Sequence, residues 1–342
     1  MVMPKIFGLQ WHITNECDQR CQHCYIWRKF VNESLHTQPN IQQCQNIVDD
    51  FLSFCQETSV SPYFSITGGD PLLYSHIWEL LEYIQSKKVP FTILGNPFHL
   101  SSEVAKQLKL LGCASYQMSL DGLKATHDSL RKSGSFKATL EALPLLLEAN
   151  IRTMIMATVS LLNYQEIPAV AKLCVEHRVN SFAFARYCPN QREDSKYNMP
   201  PPLYRQFLTD MWQVYCELSD KGTIFSLKDH LWIAFLYENG LYSLCVEKGI
   251  VIDGCNCAIK HMTVLPNGTV YACRRFDSLV GNTDQQSFRE IFLSPAMEQY
   301  RRIENLAGCK DCDLLNYCRG CHAVAAGTTG NFFDKDPQCW RC

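Results

Sequence analysis

The sequence predicts an α/β protein, a partial (β/α)6 barrel followed by a small cysteine-rich domain with a β-hairpin. Two observations predict it. Apolar, β-rich segments alternate with helix-period segments six times between residue 6 and about residue 187, which implies a parallel sheet with right-handed crossovers. Nine of the 19 cysteines then lie from Gly254 onward, in a stretch too cysteine-rich to rely on a hydrophobic core alone. Six repeats fall short of the eight that close a barrel, so one side is expected to stay open.

Each element has its own signal. IFGLQWHIT is an apolar opening strand, and a cysteine loop follows it. IQQCQNIVDDFLSFCQ (41–56) has helical spacing, and YFSIT (63–67) is a short buried strand ended by GGDP. HIWELLEYIQSKK is helical and PFTIL is a strand. SSEVAKQLKLLG reads as a helix with serine at its start and glycine past its end. SYQMSL, RTMIMATVS and SFAFARY are the remaining strands, with FKATLEALPLLLEAN and YQEIPAVAKLCVEHR as the helices between them. Residues 190–240 break the pattern: PNQREDSKYNMPPP is a polar, proline-rich connector, and a helix runs from Leu203 to about Leu218. TVLPNGTVYAC, with Pro-Asn-Gly between apolar runs, is a hairpin. The expected division is a barrel over 1–189, a bridging region over 190–250 and a cysteine-rich domain over 251–342.

Composition narrows the function classes. Apolar residues make up 46% and charged residues 19%, ordinary for a globular chain with a real core. The net charge of −2 comes without blocks of like charge, which argues against a nucleic-acid surface or a polybasic membrane anchor. The N-terminus lacks a signal-peptide pattern and no apolar run is long enough to span a bilayer, so a cytoplasmic location is expected. Disulfide frameworks belong to small secreted scaffolds, so the cysteines point to metal or iron–sulfur ligation. Cys44, Cys55, Cys113, Cys174, Cys216 and Cys245, scattered singly among apolar residues, read as small buried hydrophobes.

In barrel folds chemistry sits on the loops after the strands, and both unusual motifs lie there. The first is ECDQRCQHCYIW, with Cys17, Cys21 and Cys24 and no fourth cysteine nearby. Three thiolates can hold three corners of a [4Fe–4S] cube and leave one iron open, which is the mark of a catalytic rather than a structural site. The alternative is zinc, completed by His12 or His23. The second motif is TGGDPLL; its glycines allow close backbone approach, and its acid suits an ammonium.

CxxxCxxC followed by an aromatic, here Tyr25, after the first strand of a partial barrel resembles the radical S-adenosylmethionine enzymes. The resemblance implies that the open iron chelates S-adenosylmethionine, whose reductive cleavage yields a 5′-deoxyadenosyl radical that takes a substrate hydrogen. It implies cofactor contacts from Gly68, Gly69, Asp70 and Pro71, with Asp70 one methylene shorter than the family's frequent Glu. Ser119, at the end of MSLDG, resembles the family's polar contact to the cosubstrate, while Asp121 reads as a turn residue. Arg131, in THDSLRKSGSF, is either a partner of the methionyl carboxylate or a surface arginine.

The C-terminal cysteines are similar to the SPASM extension of these enzymes, which holds two auxiliary [4Fe–4S] clusters. The resemblance assigns Cys255, Cys257, Cys273 and Cys321 to auxiliary cluster I. It assigns Cys309, Cys312, Cys318 and Cys339 to auxiliary cluster II, with Cys342 spare or competing with Cys339. Cys255 and Cys257 are unusually close for two ligands of one cluster, and a double zinc ribbon serving as an interaction module is the non-enzyme alternative.

Enzymes of this layout mostly modify peptides or proteins through crosslinks, thioethers or epimerisation, and some act on tetrapyrroles. The expected activity is therefore maturation of a ribosomally made precursor peptide, with a small-molecule or tetrapyrrole role as the alternative. A flavodoxin- or ferredoxin-type electron donor is implied. Because the first strand begins near residue 6, a separate leader-binding protein, or recognition by the 190–240 region, is expected as well. Cys188, just past the sixth strand, is either a hydrogen-atom donor to the substrate radical or a packed thiol.

Overall fold

A computed structural model describes residues 5–26, 38–244 and 251–341. Six strands form the predicted parallel run: β1 (Ile6–His12), β2 (Ser61–Thr67), β3 (Phe91–Leu94), β4 (Cys113–Ser119), β5 (Arg152–Val159) and β6 (Ser181–Arg186). The helices that return the chain between them are α1 (Ile41–Glu57), α2 (Ile77–Ser86), α3 (Ser102–Leu110), α4 (Lys124–Leu130), α5 (Ser135–Glu148) and α6 (Ile167–Glu176). Local chemistry sets their starts. Asn40 and Gln43 form a reciprocal capping box on α1, and the Ser101 side chain accepts from the Val104 amide at the start of α3.

The winding continues past the sixth strand. Helix α7 (Pro201–Leu218) crosses over to β7 (Ile224–Ser226), which pairs in parallel with β6. Helix α8 (Leu231–Glu238) follows. At the other edge the predicted hairpin, β8 (His261–Val264) and β9 (Thr269–Tyr271), joins the same sheet, because β8 pairs in parallel with β1. Strand β10 (Leu279–Asn282) completes the order β10-β9-β8-β1-β2-β3-β4-β5-β6-β7. Among the described residues β7 and β10 are the two edges of this ten-stranded sheet, so the barrel is open as expected.

Further α-helices among the described residues are α9 (Phe288–Leu293), α10 (Pro295–Glu298) and α11 (His322–Thr329). Helix α9 is docked on the barrel by aromatic packing. Phe7, Phe51 and Phe54 meet Phe288 and Phe292 at centroid distances of 5.2–5.5 Å, and the Phe288 amide donates to Asp50 at 2.8 Å. Cys44, Cys55, Cys113 and Cys174 are buried as read from the sequence. Cys216 is exposed instead, because α7 turns Tyr204, Phe207, Leu208, Met211 and Tyr215 inward and leaves Cys216 on its outer face. Cys245 and Cys342 lie outside the described residues.

Candidate active site and cysteine centres

The cysteine loop leaves the C-terminal end of β1 and is stitched by backbone to the loop after β2. The Ile13 amide donates to the Thr67 carbonyl at 3.0 Å, Gly69 to Thr14 at 2.8 Å and Asp70 to Glu16 at 2.7 Å. This explains the two glycines. Gly68 has φ +144°, and a β-carbon at either Gly68 or Gly69 would collide with the Thr14–Glu16 backbone. The sequence reading assigned them to close approach by a ligand; their first role is close approach by the cysteine loop.

Cys17, Cys21 and Cys24 line a cavity of about 210 Å³ at the strand ends, together with Tyr25, Gly68, Gly69, Ser119 and Arg131. Asp70 and Pro71 are not among the residues that line it. Asp70 caps the turn at Pro71–Leu73, with its carboxylate accepting from the Leu72 amide at 3.2 Å. The group sits behind the cavity wall near Asp18 and His99, and burial lifts it to about 7. One of its oxygens is buried without a hydrogen-bond partner. Asn96, not singled out from sequence, stands in the wall itself and donates to Asp18 at 2.7 Å. Its position just past β3, on the same rim, was the available signal.

Arg131 is not a surface arginine. Its Nε donates to Asp121 at 2.5 Å and its Nη1 lies 3.7 Å from the Cys21 sulfur. Asp121 also meets His23 Nε2 at 3.2 Å and accepts from the Thr158 amide at 2.8 Å. Burial pushes the Asp121 carboxyl up, but Arg131 and His23 together hold it well below the usual range, so it is ionised. Asp121 thus orients a guanidinium beside a thiol, a longer reach than the turn role read from sequence.

The thiols suit a cluster better than a single ion. A tetrahedral zinc with bonds of about 2.3 Å needs sulfurs about 3.8 Å apart. Among the described residues no three cysteine or histidine ligand atoms lie within 4.8 Å of one another. The two histidines of the zinc alternative are otherwise placed. His23 faces Asp121, and burial with Arg274 pushes His12 down to about 3, so its ring is neutral. Burial also raises Cys17 to about 12 and Cys21 to about 11, a penalty that metal ligation reverses by deprotonating the thiols outright.

The C-terminal cysteines gather into two groups. Cys257 faces Cys273, Cys255 and Cys321. Cys318 faces Cys339 and Cys309, and Cys312 follows Cys309 on one turn, closed by a 3.0 Å amide bond. The grouping places together the residues expected for each auxiliary cluster. Between the first group and the barrel lies a chamber of about 650 Å³, into which Lys228 and the four thiols Cys255, Cys257, Cys273 and Cys321 project. Arg274, Arg275 and Ala185 line both this chamber and the cavity at the N-terminal triad, so the two adjoin. Enclosure, then Arg274 and Arg275, push Lys228 down to about 7. No helix among the described residues is long and apolar enough to cross a membrane.

Comparison with known proteins agrees with this arrangement. A Radical SAM superfamily model matches residues 11–174, and an iron–sulfur cluster-binding SPASM domain model matches residues 255–322. The chain is 25% identical to the AdoMet-dependent heme synthase of Methanosarcina barkeri, covering 97% of this chain and 95% of that one. It is 27% identical to the mycofactocin maturase MftC of Mycolicibacterium smegmatis, covering 97% and 82%. The fold matches Streptococcus suis SuiB bound to S-adenosylmethionine, with TM-score 0.75 and 18% identity over 100% of this chain and 77% of that one. It also matches anSMEcpe with bound AdoMet, with TM-score 0.77 and 19% identity over 97% and 93%. The chain therefore belongs to the radical SAM superfamily as an enzyme with a SPASM domain, using a [4Fe–4S] cluster with S-adenosylmethionine and auxiliary iron–sulfur clusters.

Proposed function

We propose that the chain is a maturase that modifies a ribosomally made precursor peptide by crosslinking, thioether formation or epimerisation. The observation that carries the reading is that the cavity at the N-terminal triad adjoins, through Ala185, Arg274 and Arg275, the chamber lined by the auxiliary cluster I thiols, so that a substrate held in the first would lie between the two iron–sulfur centres. The similarity to the mycofactocin maturases across 97% of this chain supports it, as does the likeness to SuiB, a structure of which holds the precursor peptide SuiA.

When bound, the cluster and S-adenosylmethionine supply a carbon-centred radical that abstracts hydrogen; the protein's own work is placement and shielding. Cys17, Cys21 and Cys24 would hold the cluster. Gly68 and Gly69 expose backbone to the methionine moiety, Ser119 offers a hydroxyl, and Tyr25 closes the wall with Arg274 5.9 Å from its ring centre. Arg131, fixed by Asp121, presents its guanidinium to the methionyl carboxylate. A barrel over 1–189, a bridge over 190–250 and an auxiliary-cluster domain over 251–342 are the units of this reading. A flavodoxin- or ferredoxin-type donor and a separate leader-binding protein are its partners.

A second reading, a tetrapyrrole substrate, is favoured by the heme synthase and Fe-coproporphyrin III synthase relatives. One experiment separates the two. Reduced, reconstituted enzyme is given either Fe-coproporphyrin III or any short peptide encoded beside its gene, and 5′-deoxyadenosine and substrate mass are followed. The peptide reading expects stimulation and a mass change with a peptide alone; stimulation by the macrocycle alone overturns it.

A further inference from the structure

Five thiols, one more than a cube needs, converge on the site of auxiliary cluster I, and the fifth comes from the barrel. Cys188 follows β6 by two residues and packs, with Cys273, against Cys321. Cys257, Cys273 and Cys321 line one chamber with Cys255. Cys255 is only two positions before the buried Cys257, unusually close for a second ligand of the same cube. It faces Cys273, with Arg319 beside it, and Arg319 donates to the Cys255 carbonyl at 3.0 Å.

The placement of Cys188 is built, not incidental. Arg186 pairs with Asp336 at 2.8 Å, and the same Asp336 accepts from the Cys321 amide at 2.7 Å. Gly327 of α11 lies so close to Pro189 that a β-carbon at 327 would strike the Pro189 carbonyl. Asn198 adds a 3.1 Å bond to Thr328. The turn that carries Cys188 is thus clamped to the helix that begins at Cys321, and Arg275 Nη1 reaches the Cys188 sulfur at 3.4 Å from the side of the S-adenosylmethionine cavity.

We propose that Cys188 is the fourth thiolate of auxiliary cluster I, with Cys257, Cys273 and Cys321, and that Cys255 stays off the iron. On ligation the Cys188 thiol releases its proton to solvent and its sulfur donates an electron pair to iron; no redox change is needed. Ligation ties the cluster to the barrel strand next to the cavity, and it excludes a hydrogen-atom-donor role for this thiol. The inference rests on the iron–sulfur content of the family and is independent of the peptide reading.

The test uses the full chain with Cys17, Cys21 and Cys24 all changed to alanine, so that only auxiliary iron is observed. Iron loading of this parent, measured first, checks the iron–sulfur assignment separately. A cube held by three thiolates sheds its exposed iron on mild oxidation and gives a [3Fe–4S] resonance in EPR. Adding C188A is expected to produce that resonance with loss of one iron, and adding C255A is expected to leave the parent spectrum unchanged. C188S, which keeps an oxygen ligand, is expected to hold all four irons with a shifted reduction potential. A [3Fe–4S] resonance from C255A, or none from C188A, overturns the proposal.

Discussion

The two cysteine regions are held in opposite ways. The N-terminal triad sits on one loop, and main-chain hydrogen bonds to the Gly68–Asp70 loop set its position. The C-terminal thiols come from separate segments that side chains tie together. Arg186, fully buried, bridges Asp229 at 2.9 Å and Asp336 at 2.8 Å, and Arg301 donates to the carbonyls of Ala258 and Phe292 at 2.8 and 2.6 Å. Where backbone does the stitching, the weak point is any added β-carbon. Where buried charge does it, the weak point is removal of one partner.

Changing Cys17, Cys21 or Cys24 singly to alanine should have the largest effect. No 5′-deoxyadenosine should be detectable by chromatography under reductant, while auxiliary iron remains bound; retained cleavage would mean that the triad is not the reactive centre. Arg186→Met should come next, because it strands two buried carboxylates. About 3–5 kcal/mol of stability should be lost in anaerobic urea unfolding, with auxiliary iron lost first. If the N-terminal iron went first, the contrast drawn here would fail. Gly69→Ala sharpens the other half of the comparison. It should cost about 1–3 kcal/mol and release iron from the triad while the auxiliary EPR signals persist.

Smaller effects test the charges behind the triad. Asp121→Asn should lower kcat/KM for S-adenosylmethionine by about 10–100-fold, the usual scale for removing the group that orients a ligand-contacting residue. An unchanged value in steady-state cleavage would reduce Asp121 to a turn residue. The smallest effect is a pH trend. Burial, then Arg131, push His127 down to about 4, and its neutral ring accepts from the Asp121 amide at 3.1 Å; His12 is pushed down to about 3. Below their ordinary value of 6.5 the unfolded chain binds protons that the folded chain refuses. Their contribution is complete above that pH and falls as pH drops toward about 4, so the urea midpoint should be level from pH 7 to 8 and lower at pH 5.

The six central strands were legible because buried residues recur along each of them, in alternation along β5 and almost continuously along β6, between segments of helical period. Strand β7 was not: it is three residues long and its Ile224 is exposed, so it carries no pattern to detect. The triad was legible from spacing alone. The triangle of His23, Asp121 and Arg131 was hidden because its corners come from three separate loops, and only the barrel brings them together. The motif names Asp70 but could not show that its carboxylate caps the 3-10 turn that follows, accepting from the Leu72 amide at 3.2 Å.

The pairing of β1 with β8 also bears on biosynthesis. One edge of the very first strand is completed by residues 261–264, which leave the ribosome some 250 positions later. Until then that edge offers unpaired amides and carbonyls to any passing chain. At roughly 5–20 residues per second the wait lasts on the order of tens of seconds. A nascent-chain crosslinking experiment should therefore find a holding factor on the N-terminal segment until the hairpin emerges, and cluster delivery should follow translation rather than accompany it.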